Sequence, residues 1–103
     1  MNPEELVRVL LQARQQGLLK PSAEENICFS KYLNTANYLL FLLEQAGRAG
    51  LSTSQVSSKL DFRQNTSRCY LRELENIGLI AQQKNIPKES IWFYLPTKQP
   101  TNF

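Results

Sequence analysis

Residues 51–95 constrain this chain more tightly than any other stretch, because they carry local start and stop signals for four consecutive elements. Ser52-Thr53-Ser54-Gln55 has the form of a capping box, in which a Ser hydroxyl and a Gln side chain three residues later satisfy each other's backbone N–H groups. It predicts a short helix with Val56 and Leu60 on its apolar side. Asp61-Phe62-Arg63 reads as a tight turn in which Phe62 plugs the core. A longer helix follows from about Gln64 to Ile77, with Tyr70, Leu71, Leu74 and Ile77 inward and Gly78 just past its end. Residues 79–84 and 90–95 then alternate as two strands about a turn at 85–89, and Pro96 stops them.

The preceding half is helical in pattern. Asn2 as N-cap, Pro3 at the first helical position and Glu5 at the third predict a helix carrying Leu6, Val7, Leu10, Leu11 and Ala13, ended by Gly17. After a connection over 18–25, Ser22-Ala23-Glu24-Glu25 offers a second capping box, and helix is expected from about 26 to 46, with a break near Asn34-Thr35 as an option. The run Leu39-Leu40-Phe41-Leu42-Leu43 is apolar around more than a full turn, so several neighbours must cover it. Gly47 and Gly50 end this helix. The expected fold class is therefore mainly α with a small β-hairpin. A helical extension over 1–33, a domain over 34–96 and a flexible tail over 97–103 complete the organisation.

Composition narrows the chemistry. The 103 residues contain no histidine, which removes histidine-based triads, His-ligated zinc and the commonest general base. The two cysteines, Cys28 and Cys69, have no CxxC spacing, and Cys28 is expected to be packed and Cys69 exposed or half-buried. No metal, cofactor or catalytic set is expected, and no enzymatic activity. No apolar run approaches the ~20 residues that span a bilayer, and the N-terminus does not read as a targeting segment, so a cytoplasmic setting without membrane contact is the expectation. The net charge of +3 is unevenly placed. Residues 1–50 balance; the second half holds Lys59, Arg63, Arg68, Arg72, Lys84, Lys88 and Lys98 against Asp61, Glu73, Glu75 and Glu89.

The order of elements in the second half resembles the winged helix-turn-helix of MarR-like and ArsR-like transcriptional regulators. Val56 and Leu60, Phe62 in the turn, Thr66 and Arg68, and above all Leu71-Arg72-Glu73-Leu74-Glu75-Asn76-Ile77-Gly78-Leu79-Ile80 carry the likeness, which spans about 35–95. The chain departs from that pattern at Arg63, where a Ser or Thr N-cap is usual, and at Ser67, where an apolar residue is usual. The resemblance implies sequence-specific binding of double-stranded DNA, with the helix from Gln64 to Ile77 in the major groove and the wing, 84–90, on the adjacent backbone or minor groove.

Physical reading of the same residues assigns Arg68 to a guanine edge, Gln64 or Asn65 to an adenine edge, and Thr66 to a thymine methyl or a phosphate. Arg72 is expected at a phosphate, and Lys84 and Lys88 at the neighbouring minor groove or its phosphates. Ser52, Thr53 and Ser54 are expected at a helix N-terminus suited to phosphate, and Arg63 among the DNA-contacting residues. A solvated helix face has the same appearance. Trp92, Phe93 and Tyr94 read as core before they read as base-stacking groups. A homodimer through residues 3–17 and 26–46 is expected, since paired half-sites need a two-fold reader. The competing expectation is a winged-helix module that binds a protein within a larger complex.

Overall fold

The computed structural model describes residues 2–84 and 90–96, with only the backbone of Lys84 included. The expected turn at 85–89, Lys88 within it and the tail 97–103 lie outside these residues. Among the described residues the fold is mainly helical with one small antiparallel sheet. Its elements run α1 (Pro3–Gln15), α2 (Lys31–Ala46), a 3₁₀ turn (Gly47–Ala49), β1 (Leu51–Ser52), α3 (Thr53–Leu60), α4 (Gln64–Ile77), β2 (Ile80–Lys84) and β3 (Ser90–Tyr94). None of these helices is long and apolar enough to cross a membrane.

Local chemistry sets most boundaries. The Asn2 side chain accepts from the amides of Glu4 and Glu5, and Pro3, which has no N–H to lose, opens α1. The capping box at α3 is complete: Ser52 Oγ accepts from Gln55 N at 3.1 Å, and Gln55 Oε1 accepts from Ser52 N at 2.9 Å. Asp61 ends α3 in the left-handed region, which short polar side chains tolerate, and Phe62 N–H returns to Ser57 O at 2.9 Å. Gly78, at φ +93, ends α4, its N–H directed at the carbonyls of Leu74 and Glu75.

The second box does not start a helix. Ser22 Oγ accepts from Glu24 N, two residues on, and α2 begins at Lys31 with Ser30 as its N-cap. Asparagines hold the connection instead. Asn34, inside α2, accepts from Asn26 N and donates to Asn26 O, both at 2.9 Å. Asn37, buried to 3% exposure, accepts from Lys20 N and donates to Leu18 O. These bonds satisfy backbone groups of the connection at Leu18, Lys20 and Asn26 without a helix there, and α2 runs unbroken through Asn34-Thr35. Cys28, expected to be packed, is exposed on this connection. The turn bonds Cys28 N to Asn26 Oδ1 and Phe29 N to Asn26 O, leaving its thiol outside the core.

One core unites the elements. Leu6 and Leu10 of α1, Leu39, Leu40 and Leu43 of α2, Val56 of α3, Leu71 and Leu74 of α4 and Ile80 of β2 are all essentially inaccessible. Each such side chain is worth roughly 1.5–3 kcal/mol on burial, far more than any propensity difference along α4, so Leu71 and Leu74 decide which face of α4 is turned outward. Tyr70 joins α4 to α2. Burial pushes its phenol up to about 12, against a hydrogen bond from Thr35 that lowers it, so the ring stays neutral in the core. Phe62 stacks on Tyr70 with ring centroids 6.0 Å apart, the plug expected of the turn.

The sheet has the order β1-β3-β2, with β3 paired antiparallel on both sides. Ile80 pairs with Tyr94 and Lys84 with Ser90; a bond from Leu95 N to Leu79 O at 2.9 Å closes the base of the hairpin. The third strand is an addition to the expected hairpin, since Leu51 pairs with Trp92 and Ser52 with Ile91. Leu51, Trp92 and Ile80 lie on the core side.

Ser67 explains its own departure from the apolar pattern. It is fully buried where α4 meets α3, and Ser57 Oγ donates to its Oγ at 2.9 Å. Removing one hydroxyl leaves the other without its partner in the interior, at a cost of ~1–3 kcal/mol, whereas removing both does not. Ser67→Ala and Ser57→Ala are each expected to lower the urea midpoint, and the double variant to cost clearly less than the two combined. Equal and additive losses would show that the pair is not coupled.

Candidate nucleic-acid interface

The buried stripe of α4 consists of Ser67, Tyr70, Leu71, Leu74 and Ile77. Helical periodicity then leaves Gln64, Asn65, Arg68 and Arg72 exposed on the other face, with Thr66 and Cys69 half-buried at its margins. The helix starts abruptly. Arg63 occupies the N-cap in extended backbone geometry but makes no side-chain cap bond, so its long side chain is exposed rather than folded onto the first-turn amides. This is the physical consequence of Arg standing where Ser or Thr is usual.

The exposed side chains touch one another. Gln64 Nε2 donates to Ser54 Oγ at 3.0 Å, linking the first turn of α4 to the first turn of α3. Arg68 donates from Nη1 to Asn65 Oδ1 at 3.3 Å and from Nη2 to Gln64 Oε1 at 3.4 Å. The i−3 and i−4 spacing makes both contacts possible on one helix face. Four of the expected site residues, Ser54, Gln64, Asn65 and Arg68, thus form one connected polar surface.

Beyond Arg68 a cleft of about 250 Å³ separates α4 from the sheet. Arg68, Arg72 and Glu75 line it from α4, Thr53 from α3, and Gln82, Ser90 and Trp92 from the hairpin strands. Trp92 forms its floor: the indole is buried, and its Nε1–H donates to Thr53 Oγ1 at 3.0 Å. Gln82 donates to Ser90 Oγ across the hairpin. Trp92 therefore serves the core, and Phe93 and Tyr94 are half-buried.

Sequence reading singled out Thr53 only for its place at a helix N-terminus, and it missed Gln82 and Ser90 as cleft residues. The alternation of the strands carried a signal for the last two, since Gln82 pairs with Trp92, but nothing local placed either beside α4. Of the expected wing contacts, Lys84 enters as backbone of β2, and Lys88 is among the residues not described. Among the described residues no group of three or more His, Cys, Asp or Glu side chains is arranged to hold a metal ion. The cluster combines the carboxamides of Gln64 and Asn65 with the guanidinium groups of Arg68 and Arg72, and Glu75 adds a carboxylate in the cleft. No protein-family model matches the chain, and no curated protein matches it.

Proposed function

We propose that the chain is a small winged helix-turn-helix protein that binds double-stranded DNA sequence-specifically and acts as a transcriptional regulator. In this reading residues 34–96 form the winged domain, 1–33 a helical extension, and α4 the helix that enters the major groove. One observation carries the proposal: the solvent face of α4 presents Gln64, Asn65, Arg68 and Arg72 together, while Leu71 and Leu74 fasten the opposite face into the core. A major groove ~12 Å wide admits one helix, and its first turns approach the base edges. Arg63 and Arg72 suit the flanking phosphates, Thr66 a methyl or phosphate, and Ser54 the backbone near the start of α3. Lys84 and Lys88 belong to the wing that follows the adjacent backbone.

Two copies reading two half-sites would meet through residues 3–17 and 26–46. Leu11, Ile27 and Tyr38 are large apolar side chains exposed within those segments, and a second copy meeting them would take them out of water. Sedimentation at micromolar concentration is expected to give twice the 11.9 kDa chain mass, and a purely monomeric species would remove the dimer.

The test of the function is selection of the full chain against a random duplex library, followed by titration of the recovered site at several salt concentrations. A palindromic consensus and a log–log salt slope of several units are expected, because each neutralised phosphate releases counterions. Equal affinity for every duplex would remove sequence specificity, and no retention at all would remove DNA. The presence of Glu75 in the cleft beside Arg68 and Arg72 favours, as second reading, a protein partner with mixed charge. Elution from heparin below physiological salt would support that reading.

A further inference from the structure

The bonds among Gln64, Asn65, Arg68 and Ser54 bear on which bases such a surface can read. An Asn or Gln that reads adenine must donate to N7 and accept from the N6 amino group at once, so it needs both ends of its carboxamide. Gln64 is engaged at both ends, Nε2 on Ser54 and Oε1 under Arg68, which leaves it one N–H and one lone pair. Asn65 Oδ1 also takes Arg68. Both carboxamide oxygens are turned to the Arg68 guanidinium, and the Ser54 bond fixes the orientation of Gln64.

Arg68 is differently placed. A guanidinium has five N–H donors, and these two bonds leave enough of them for a bidentate contact. The major-groove edge of guanine shows two acceptors, N7 and O6, and so matches a donor-only group. Holding the long Arg side chain beforehand lowers the entropy lost when it binds.

We propose that Arg68 is the base-reading residue of this surface, specific for guanine, and that Gln64 and Asn65 are positioning residues that act through it. The assignment rests on the DNA-binding reading above and revises the adenine role expected for Gln64 and Asn65.

The full chain and its Arg68→Ala, Gln64→Ala, Asn65→Ala and Gln64→Ala/Arg68→Ala variants are titrated with the duplex recovered by selection. Circular dichroism checks each fold, which these exposed positions are not expected to disturb. Replacing one guanine of each half-site by 7-deazaguanine, which lacks the N7 acceptor, should weaken the parent about tenfold and leave Arg68→Ala indifferent. Gln64→Ala should reduce that discrimination, and in the Arg68→Ala background it should change nothing further. Either of two results overturns the assignment while leaving DNA binding intact. One is an adenine preference that disappears with Gln64→Ala or Asn65→Ala. The other is an Arg68→Ala variant weakened equally on all duplexes, as a phosphate contact would be. A parent chain that retains no duplex overturns the DNA-binding reading itself, and this assignment with it.

Discussion

Gly50→Ala is expected to destabilise the protein by about 3 kcal/mol or more, enough to remove a large part of the stability of a small domain. Gly50 joins the 3₁₀ turn to β1 at φ +65 and ψ −173, a conformation open essentially only to glycine. Space is the second obstacle. A Cβ there would stand 2.7 Å from Ile91 Cγ2, from Phe93 Cε1 and from the carbonyl oxygen of Trp92. The two side-chain atoms can yield; the carbonyl belongs to the backbone of the central strand and can move only with the sheet. Gly47→Ala supplies the control. That residue also has positive φ, at +60, but nothing lies within 4 Å of its added methyl, so only backbone strain is incurred. Urea titration should therefore show a much larger fall in midpoint for Gly50→Ala than for Gly47→Ala. Similar falls would mean that the close approach to β3 costs nothing.

That junction also marks where reading from the sequence succeeds and where it stops. Signals that act within one turn of chain were visible: Asn2-Pro3 opening α1, the reciprocal Ser52 and Gln55 bonds, Gly78 after Ile77, and the four inward apolar residues of α4. The outward face of α4 followed from the same periodicity, so Gln64, Asn65, Arg68 and Arg72 were identifiable as a group. Features that need a distant partner were not. β1 is two residues long, too short for any period, and exists because Leu51 and Ser52 meet Trp92 and Ile91. Ser67 reads as a misplaced polar residue until Ser57 is brought to it. Ser22 to Glu25 shows the converse error, a local helix signal overruled when Asn34 and Asn37 bind the connecting backbone. Within the site, the contacts of Arg68 with Asn65 and Gln64 follow helical spacing, whereas the link from Gln64 to Ser54 depends on how α3 and α4 pack.

Trp92→Ala should have the largest effect of a side-chain truncation in the sheet, ~3–5 kcal/mol, because it opens a cavity at the one place where β1, β2 and β3 share a core residue. Trp92 is 4% exposed, and it is the chain's single tryptophan. Its indole also pins the sheet to the first residue of α3 through Thr53 Oγ1. Size and bonding can be separated. Thr53→Val keeps nearly the same volume but leaves the buried indole N–H without its acceptor, at ~1–3 kcal/mol. Trp92→Phe keeps an aromatic ring and removes the donor. The Thr53→Val/Trp92→Phe double variant should be more stable than the two single losses combined, because neither half of the bond is then stranded. Tryptophan fluorescence during urea unfolding follows Thr53→Val directly, and circular dichroism follows the variants lacking Trp92. A Trp92→Ala loss below about 1 kcal/mol would mean that the packing seen here is not what holds the sheet to the helices. In that case the cleft between α4 and the hairpin, lined by Arg68, Arg72, Gln82 and Ser90, would have no fixed width.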